Sequence, residues 1–183
     1  MAYFAVIDTE TNWADQVMSI GTVIAERDTF KIVSVKYHVL PLECKVGGMY
    51  ESVLFLDIPF SPILCTRQEA MADLKAWFSQ YSIQDIFAYN ACFDRNHLPE
   101  LGSFRWFDIM RLAAYRQYNP CIPACADCFS TGRLKRGYGV EPMLRLLSGK
   151  RSYRETHNAV LDALDELSIM RLLKIPVSEY IPL

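Results

Sequence analysis

The sequence contains no apolar run long enough to cross a lipid bilayer. Its most apolar stretch, Ser52 to Cys65, is interrupted by Asp57 and by two prolines, whereas a membrane helix needs about 18 apolar, uncharged residues. The N-terminal residues also lack the basic flank and the small-residue cleavage site that are typical of a signal peptide. We therefore expect a cytoplasmic protein with no membrane partner.

A strong net charge and a regular cysteine pattern are also missing. The formal net charge is −2, and the six cysteines are unevenly spaced, so neither overall charge nor a disulfide framework indicates a class of protein. Hydrophobic residues make up 51% of the chain and charged residues 22%, which excludes disordered, fibrous and coiled-coil proteins. Because 183 residues suit one domain with a substantial core, we predict a single domain over residues 1–183.

Apolar patterning predicts an α/β domain in layers. Five segments are predicted strands: Ala2–Asp8, Met18–Glu26, Lys31–Leu40, Asp85–Tyr89 and Ser103–Phe107. Helices are predicted at Arg67–Gln80, between Asp108 and Asn119, at Val140–Leu147 and at Ala159–Leu173. Thr66 and Glu69 form a capping-box pattern for the first of these helices. This order of elements indicates a mixed five-stranded sheet flanked by helices.

Three acidic residues lie at the predicted ends of strands. Asp8 and Glu10 close the first strand and project from the same face, because side chains alternate along a strand, while Thr9 points away. Asp94 follows the fourth strand, at an edge where open α/β sheets build their sites. Crowded carboxylates repel one another unless a cation neutralises them, and such oxygen ligands suit Mg²⁺ or Mn²⁺.

An imidazole and a fourth acid stand at the start of the last helix. His157 and Asp162 are five residues apart, and an ideal helix would point them about 140° away from each other. Both side chains therefore reach one site only if His157 lies before the helix or in its first turn.

Taken together, three short motifs resemble those of a known family. They are Asp8-x-Glu10, Asn90-x-x-Phe93-Asp94 and His157-x-Ala159-x-x-Asp162-Ala163, and Ser19-Ile20-Gly21 adds a fourth point of likeness. In this order they resemble the exonuclease motifs of the DEDDh family, which includes the proofreading epsilon subunit of DNA polymerase III, oligoribonuclease and RNase T. The resemblance covers about residues 2–173 and implies an RNase H-like fold.

The resemblance implies a 3′–5′ exonuclease that releases nucleoside monophosphates from the 3′ ends of DNA or RNA. Asp8, Glu10 and Asp162 would hold one Mg²⁺ or Mn²⁺ ion, and Asp8 and Asp94 a second, at a separation of roughly 3.5–4 Å. His157 would accept the proton of the attacking water, since an imidazole titrates near neutral pH. Expected partners are single-stranded 3′ ends and a polymerase.

Substrate contacts are expected from Thr11, Trp13 and Asn90, which stand beside the predicted metal ligands. Trp13 occupies a position where the family often has glycine. One interpretation is that its ring stacks on the terminal base, and the other is that it packs beneath its loop.

A basic segment precedes His157. Residues 131–154 hold seven basic side chains and one acidic side chain, and Arg133, Lys135 and Arg136 are the members we expect to contact the nucleic acid backbone. A solvated basic face is the alternative.

Three cysteines, Cys121, Cys125 and Cys128, lie within one loop. With a fourth ligand from elsewhere they would suit a structural Zn²⁺, although cysteines without metal are the favoured interpretation.

Two other functions are compatible with these motifs. One is a non-catalytic nucleic-acid-binding or polymerase-docking module with the same fold, which the intact acids and His157 disfavour. The other is an RNase H-type endonuclease, which the Asn90-to-Asp94 pattern and the His157-to-Asp162 spacing disfavour.

Overall fold

A computed structural model describes residues 2–183 and shows a six-stranded sheet between two layers of helices. The strands are β1 (Tyr3–Thr11), β2 (Val17–Glu26), β3 (Ile32–Val39), β4 (Ile63–Leu64), β5 (Asp85–Ala88) and β6 (Arg105–Asp108). The helices are α1 (Pro41–Cys44), α2 (Arg67–Gln80), α3 (Cys92–His97), α4 (Met110–Ala113), α5 (Val140–Ser148) and α6 (Ala159–Leu173). Short 3₁₀ turns lie at Glu51–Val53, Pro99–Leu101 and Val177–Glu179. The predicted α/β class with a mixed sheet is confirmed.

Strand β1 runs through the middle of the sheet, whose order is β4-β3-β2-β1-β5-β6. Strand β2 pairs antiparallel with both β1 and β3, whereas β5 runs parallel to β1. Phe4 and Val6 of β1 pack in the cluster that contains α5 and α6, and Ala5 and Ile7 pack in the cluster that contains α2. Because β1 and β5 are parallel, the residues that follow them along the chain meet at one edge of the sheet.

The predicted count of five strands was wrong, because β4 adds a sixth at the sheet edge. Ile63 and Leu64 pair in parallel with His38 and Val39 of β3. Two exposed residues show no alternation, and they follow a long connection with Pro62 immediately before them. The pairing partner lies more than twenty residues away in sequence, so local patterning could not detect this strand.

The long helices have the predicted bounds. Thr66 and Glu69 form both hydrogen bonds of the capping box at the start of α2, and α6 covers Ala159–Leu173. The helix after Asp108 is shorter than predicted, because the Nδ2 of Asn119 donates to the carbonyl of Ala113 at 2.6 Å and the chain leaves the helix there. Within residues 2–183, no helix has the combined length and apolarity needed to span a membrane.

Gly21 sets how closely α6 approaches the sheet. A Cβ atom at Gly21 would overlap the backbone carbonyl of Ala159, the first residue of α6. Gly21 is also the β2 residue directly opposite Asp8 of β1. The missing side chain therefore lets the first turn of α6 lie beside the acidic end of β1.

Replacing Gly21 with alanine should destabilise the fold. In an open strand this change would favour folding, but here a backbone atom must move, and overpacking of this kind costs about 1–3 kcal/mol. The free energy of unfolding from urea titration measures the loss. Gly139→Ser is the control, because a Cβ there lies 3.9 Å from Pro142 and serine is favoured at this N-cap position. Equal stability of Gly21→Ala and the wild type would contradict the close-approach argument.

Candidate active site

A cleft of about 360 Å³ opens where β1 and β5 end. The side chains that border it come from β1 and the loop after it, the turn after β5, α3, the segment after α1, and α6 with the residues before it. It brings together the four carboxylates and the imidazole that the motifs singled out: Asp8, Glu10, Asp94, Asp162 and His157. Thr11, Trp13 and Asn90 border the same cleft.

Strand β1 places the first two carboxylates. It continues to Thr11, beyond the predicted end, so Asp8 and Glu10 both lie within the strand and share one face. Asp8 stands opposite Gly21 and Glu10 opposite Ser19. The Oδ2 atom of Asp8 is buried and has no hydrogen-bond partner among residues 2–183.

Asp94 reaches the cleft from the first turn of α3, where it is 2% exposed. The hydroxyl of Thr9 donates to its Oδ1 at 2.8 Å. Thr9, which we expected to point away from the acidic pair, thus holds the third carboxylate in place. Thr9 stands between Asp8 and Glu10 on β1, and its contact with Asp94 spans 85 residues of sequence, so no local signal could reveal it.

The start of α6 places the fourth carboxylate and the imidazole. His157 precedes Asn158, the N-cap residue, and adopts a left-handed conformation with φ of 57°. It therefore lies outside the helix, as the rotation argument requires. One ligand atom from each of Glu10, His157 and Asp162 lies within 4.8 Å of the other two.

Three contacts that sequence reasoning missed hold His157 and the adjacent Asn158 in this position. The ring of His157 stacks on Tyr50, with ring centroids 4.1 Å apart and an interplanar angle of 17°. The buried amide of Asn158 donates to the carbonyl of Val53 at 2.7 Å and to the hydroxyl of Tyr37 at 3.1 Å. The segment between α1 and β4 therefore braces the imidazole from the far side of the cleft.

Burial dominates the electrostatics of the carboxylates. It raises the pKa of Asp94 to about 7, while the hydrogen bond from Thr9 opposes the increase. Burial together with the negative charge of Glu155 raises the pKa of Glu10 to about 8 and that of Asp162 to about 9. For Asp8, burial and then the charge of Asp94 raise the pKa well above its usual range. These buried carboxylates disfavour one another's negative charge. Their oxygen atoms form a set of donors whose charge a hard divalent cation would neutralise.

Two further acids belong to the same environment. Glu155 borders the cleft, and Glu166 is 1% exposed, with an Oε2 atom that has no partner in the described chain. The charge of Glu166 contributes to the raised pKa of Asp8. Glu166 follows Asp162 by four residues, so both lie on one helix face. The four-residue spacing from Asp162 to Glu166 could have indicated Glu166 from the sequence. Glu155 follows a basic segment, and no local pattern indicated it.

Trp13 stands at the mouth of the cleft and is 68% exposed. Its backbone N–H donates to the carbonyl of Gly47 at 3.0 Å, which anchors the backbone while the indole remains accessible. Of the two interpretations of Trp13, packing beneath the loop is therefore wrong.

Asn90 is exposed and adopts φ of 61° in the turn after β5. The Oδ1 of Asp108 accepts hydrogen bonds from the backbone N–H groups of Asn90 and Met110, each at 3.0 Å. Asp108 thus fixes this turn and the start of α4, although the N-cap residue of that helix is Ile109.

The predicted basic contacts do not border the cleft. Arg133, Lys135 and Arg136 lie on a loop between α4 and α5, where Arg133 is half-buried and the other two are exposed. Lys135 pairs with Asp127 at 2.9 Å. The loop is nevertheless joined to the cleft, because the hydroxyl of Tyr89, which borders it, donates to the carbonyl of Tyr138.

The structure does not support a zinc site at the three loop cysteines. Cys121 and Cys125 are exposed, and Cys128 accepts a hydrogen bond from Arg116 at 3.3 Å. Over residues 2–183, the one group of three or more potential ligands with mutually close atoms is that of Glu10, His157 and Asp162.

Comparison with known proteins identifies the fold. No family model matches the sequence, and neither does any curated protein. The nuclease domain of 3′hExo, a DEDDh family member bound to rAMP, aligns with a TM-score of 0.67 and 13% identity over 99% of this chain and 96% of that one. A 3′-exonuclease that recognises the histone mRNA stem-loop aligns with a TM-score of 0.62 and 11% identity over 99% of this chain and 70% of the other.

Exonuclease I of E. coli, in a zinc-bound complex with single-stranded DNA, aligns with a TM-score of 0.59 and 12% identity. The alignment covers 98% of this chain and 42% of exonuclease I, so the chain spans less than half the length of that protein. At such low identity the likeness concerns the fold alone. The chain has the RNase H-like fold, which it shares with these exonucleases.

The raised pKa values predict that the stability of the protein without divalent cations falls as pH rises. Unfolded carboxyl groups ionise near pH 4, whereas Asp94, Glu10 and Asp162 keep their protons in the folded state up to about pH 7, 8 and 9. The folded state therefore binds more protons, and the free energy of unfolding decreases between about pH 4 and about pH 9. Urea titrations with EDTA measure this slope. Asp162→Asn should have a shallower slope, and an unchanged slope would contradict the assignment.

Proposed function

We propose that this protein is a metal-dependent 3′–5′ exonuclease that hydrolyses the terminal phosphodiester bond of single-stranded DNA or RNA and releases nucleoside monophosphates. One observation carries the proposal: three separate elements bring four carboxylates and an imidazole to one open cleft. The fold shared with DEDDh exonucleases supports it. Neither the described residues 2–183 nor these matches support a polymerase partner, and we do not propose one.

Asp8, Glu10, Asp94 and Asp162 are the residues that would hold Mg²⁺ or Mn²⁺. The orphaned buried oxygens Asp8 Oδ2 and Asp162 Oδ1 fit this role, because an unpaired buried acceptor needs a partner of positive charge or a donor. Bound ions of this kind polarise a water molecule and neutralise the charge that gathers on a phosphate. Thr9 keeps the Asp94 carboxylate turned toward the cleft through its hydroxyl.

His157 would accept a proton from the attacking water. It is half-buried at the edge of the cleft, and stacking on Tyr50 fixes the plane of its ring. General-base assistance of this kind contributes on the order of 10²–10⁴ in rate.

The terminal nucleotide would lie between Trp13 and the turn that contains Asn90. The exposed indole offers a stacking surface at the mouth of the cleft, and Phe93 borders the cleft beside Asn90. Together with Thr11, these side chains would position the 3′ end rather than an internal phosphate.

Asp8→Ala should abolish hydrolysis while the fold remains intact. The variant loses a carboxylate at the centre of the acidic cluster, and relief of repulsion should raise the stability of the protein without divalent cations. Digestion of 3′-labelled and 5′-labelled single strands with Mg²⁺ or Mn²⁺ gives both the activity and its direction. Near-normal turnover by Asp8→Ala would refute the site. Metal binding by the wild type without hydrolysis of any single strand would favour the non-catalytic module.

His157→Ala should retain metal affinity while turnover falls by roughly 10²-fold or more. Calorimetric metal titration and single-turnover hydrolysis measure the two effects separately. If metal binding and activity are lost together, His157 is a ligand, as its closeness to Glu10 and Asp162 would then explain.

A further inference from the structure

A surface outside the cleft combines aromatic rings with basic side chains, of which Lys135 is paired with Asp127. Phe129, Arg133 and Tyr138 lie side by side on the loop between α4 and α5. The guanidinium carbon of Arg133 is 4.9 Å from the ring centroid of Phe129 and 5.3 Å from that of Tyr138. We refer to these three residues, with the neighbouring Lys135 and Arg136, as the aromatic–basic strip.

Packing does not explain this strip. Phe129 is 45% exposed and Tyr138 is 40% exposed, although both rings would gain free energy from burial. The strip therefore exposes two aromatic rings beside the half-buried guanidinium of Arg133 and the exposed side chain of Arg136, and no carboxylate of the described chain pairs with either arginine.

The strip has an ordered backbone. The N–H of Phe129 donates to the carbonyl of Arg133 at 2.8 Å, and the N–H of Arg116 donates to the carbonyl of Gly132 at 3.0 Å. A bridge between Tyr115 and Arg133 ties the loop to the segment that follows α4. The backbone that carries the rings and the guanidinium is thus held in a defined conformation.

The strip is joined to the cleft. Tyr89 borders the cleft and donates its hydroxyl hydrogen to the carbonyl of Tyr138. Consider a nucleic acid strand whose terminal nucleotide lies beside Trp13. The acidic cluster is then next to that nucleotide, and the aromatic–basic strip lies on the other side of Tyr89. A phosphate backbone is repelled by the carboxylates of the cleft, and positive charge at the strip would offset that repulsion.

We propose that the aromatic–basic strip binds the nucleotides upstream of the 3′ end of a single strand, through base stacking on Phe129 and Tyr138 and phosphate contacts from Arg133 and Arg136. Exposed aromatic faces interleaved with cations suit single strands, because only unpaired bases offer their π faces. A duplex would use the charges but not the rings. The proposal rests on the proposed function, since the location of the 3′ end defines which nucleotides are upstream.

The test measures binding separately from hydrolysis. The probes are oligo-dT and oligo-U in two lengths. Strands of about 3 nucleotides span less than the strip can contact, and strands of about 15 nucleotides span more. Each carries a 5′ fluorescein and 3′-terminal phosphorothioates that resist hydrolysis, and fluorescence anisotropy with Ca²⁺ gives the affinity at several salt concentrations. The variants are Phe129→Leu, which keeps apolar volume without a π face, and Arg133→Gln. Arg171→Gln is the matched control, because Arg171 is exposed near the far end of α6.

We expect both strip variants to lose at least about fivefold in affinity for the longer strand, with a smaller loss for the shorter one. Arg133→Gln should also reduce the slope of log affinity against log salt by about 0.7, whereas Phe129→Leu should leave this slope unchanged. Arg171→Gln should match the wild type in every measurement. Thermal unfolding of each variant checks that the loop is still folded, and Arg133→Lys should restore the salt slope.

The outcomes separate this inference from the proposed function. If both strip variants bind the longer strand as the wild type does, the strip is not part of the path, although the exonuclease proposal stands. If affinity falls equally for both lengths, the strip is likewise refuted, since upstream nucleotides are then not involved. If the strip variants lose affinity for the longer strand while the wild type hydrolyses no single strand, the strip stands and the exonuclease proposal fails.

Discussion

The close approach between Gly21 of β2 and the first residue of α6 is the contact on which the whole cleft depends. Gly21 stands opposite Asp8 in the sheet, and the carbonyl of Ala159 occupies the space that a side chain at Gly21 would fill. The first turn of α6 therefore carries Asp162 to the face of β1 that bears Asp8 and Glu10. Any larger residue would lift the helix and separate acids that lie more than 150 residues apart in sequence.

The acidic cluster opposes folding as long as no cation neutralises it. Asp94, Asp162 and Glu166 are almost completely buried, and burial disfavours their charged forms. The surrounding core compensates for this cost, because β1 packs on both faces against large apolar clusters. The cleft thus combines a rigid apolar support with a group of carboxylates that gains stability when a cation or protons are bound.

The two sides of the cleft differ in how they are held. On the side of α3 and α6, hydrogen bonds and helix geometry orient the carboxylates, as between Thr9 and Asp94. On the other side, the segment between α1 and β4 supplies Tyr50 and the carbonyl of Val53. That segment has little regular structure, yet it contacts the imidazole, so the position of His157 depends on a long connection as well as on the helix that follows it.

Local patterns in the sequence determined the long helices, and the short motifs singled out residues that the fold brings to one cleft. The capping box and the apolar spacing defined α2, and α6 began and ended where predicted, because both signals act within one or two helical turns. Only the tertiary structure revealed strand β4, the bond from Thr9 to Asp94, the stacking of Tyr50 on His157 and the contribution of Glu166. Each of these depends on residues that are distant in the chain, or on burial that the sequence does not display. Periodicity and caps report on neighbours along the chain, whereas the geometry of a cleft is decided by which distant segments pack together.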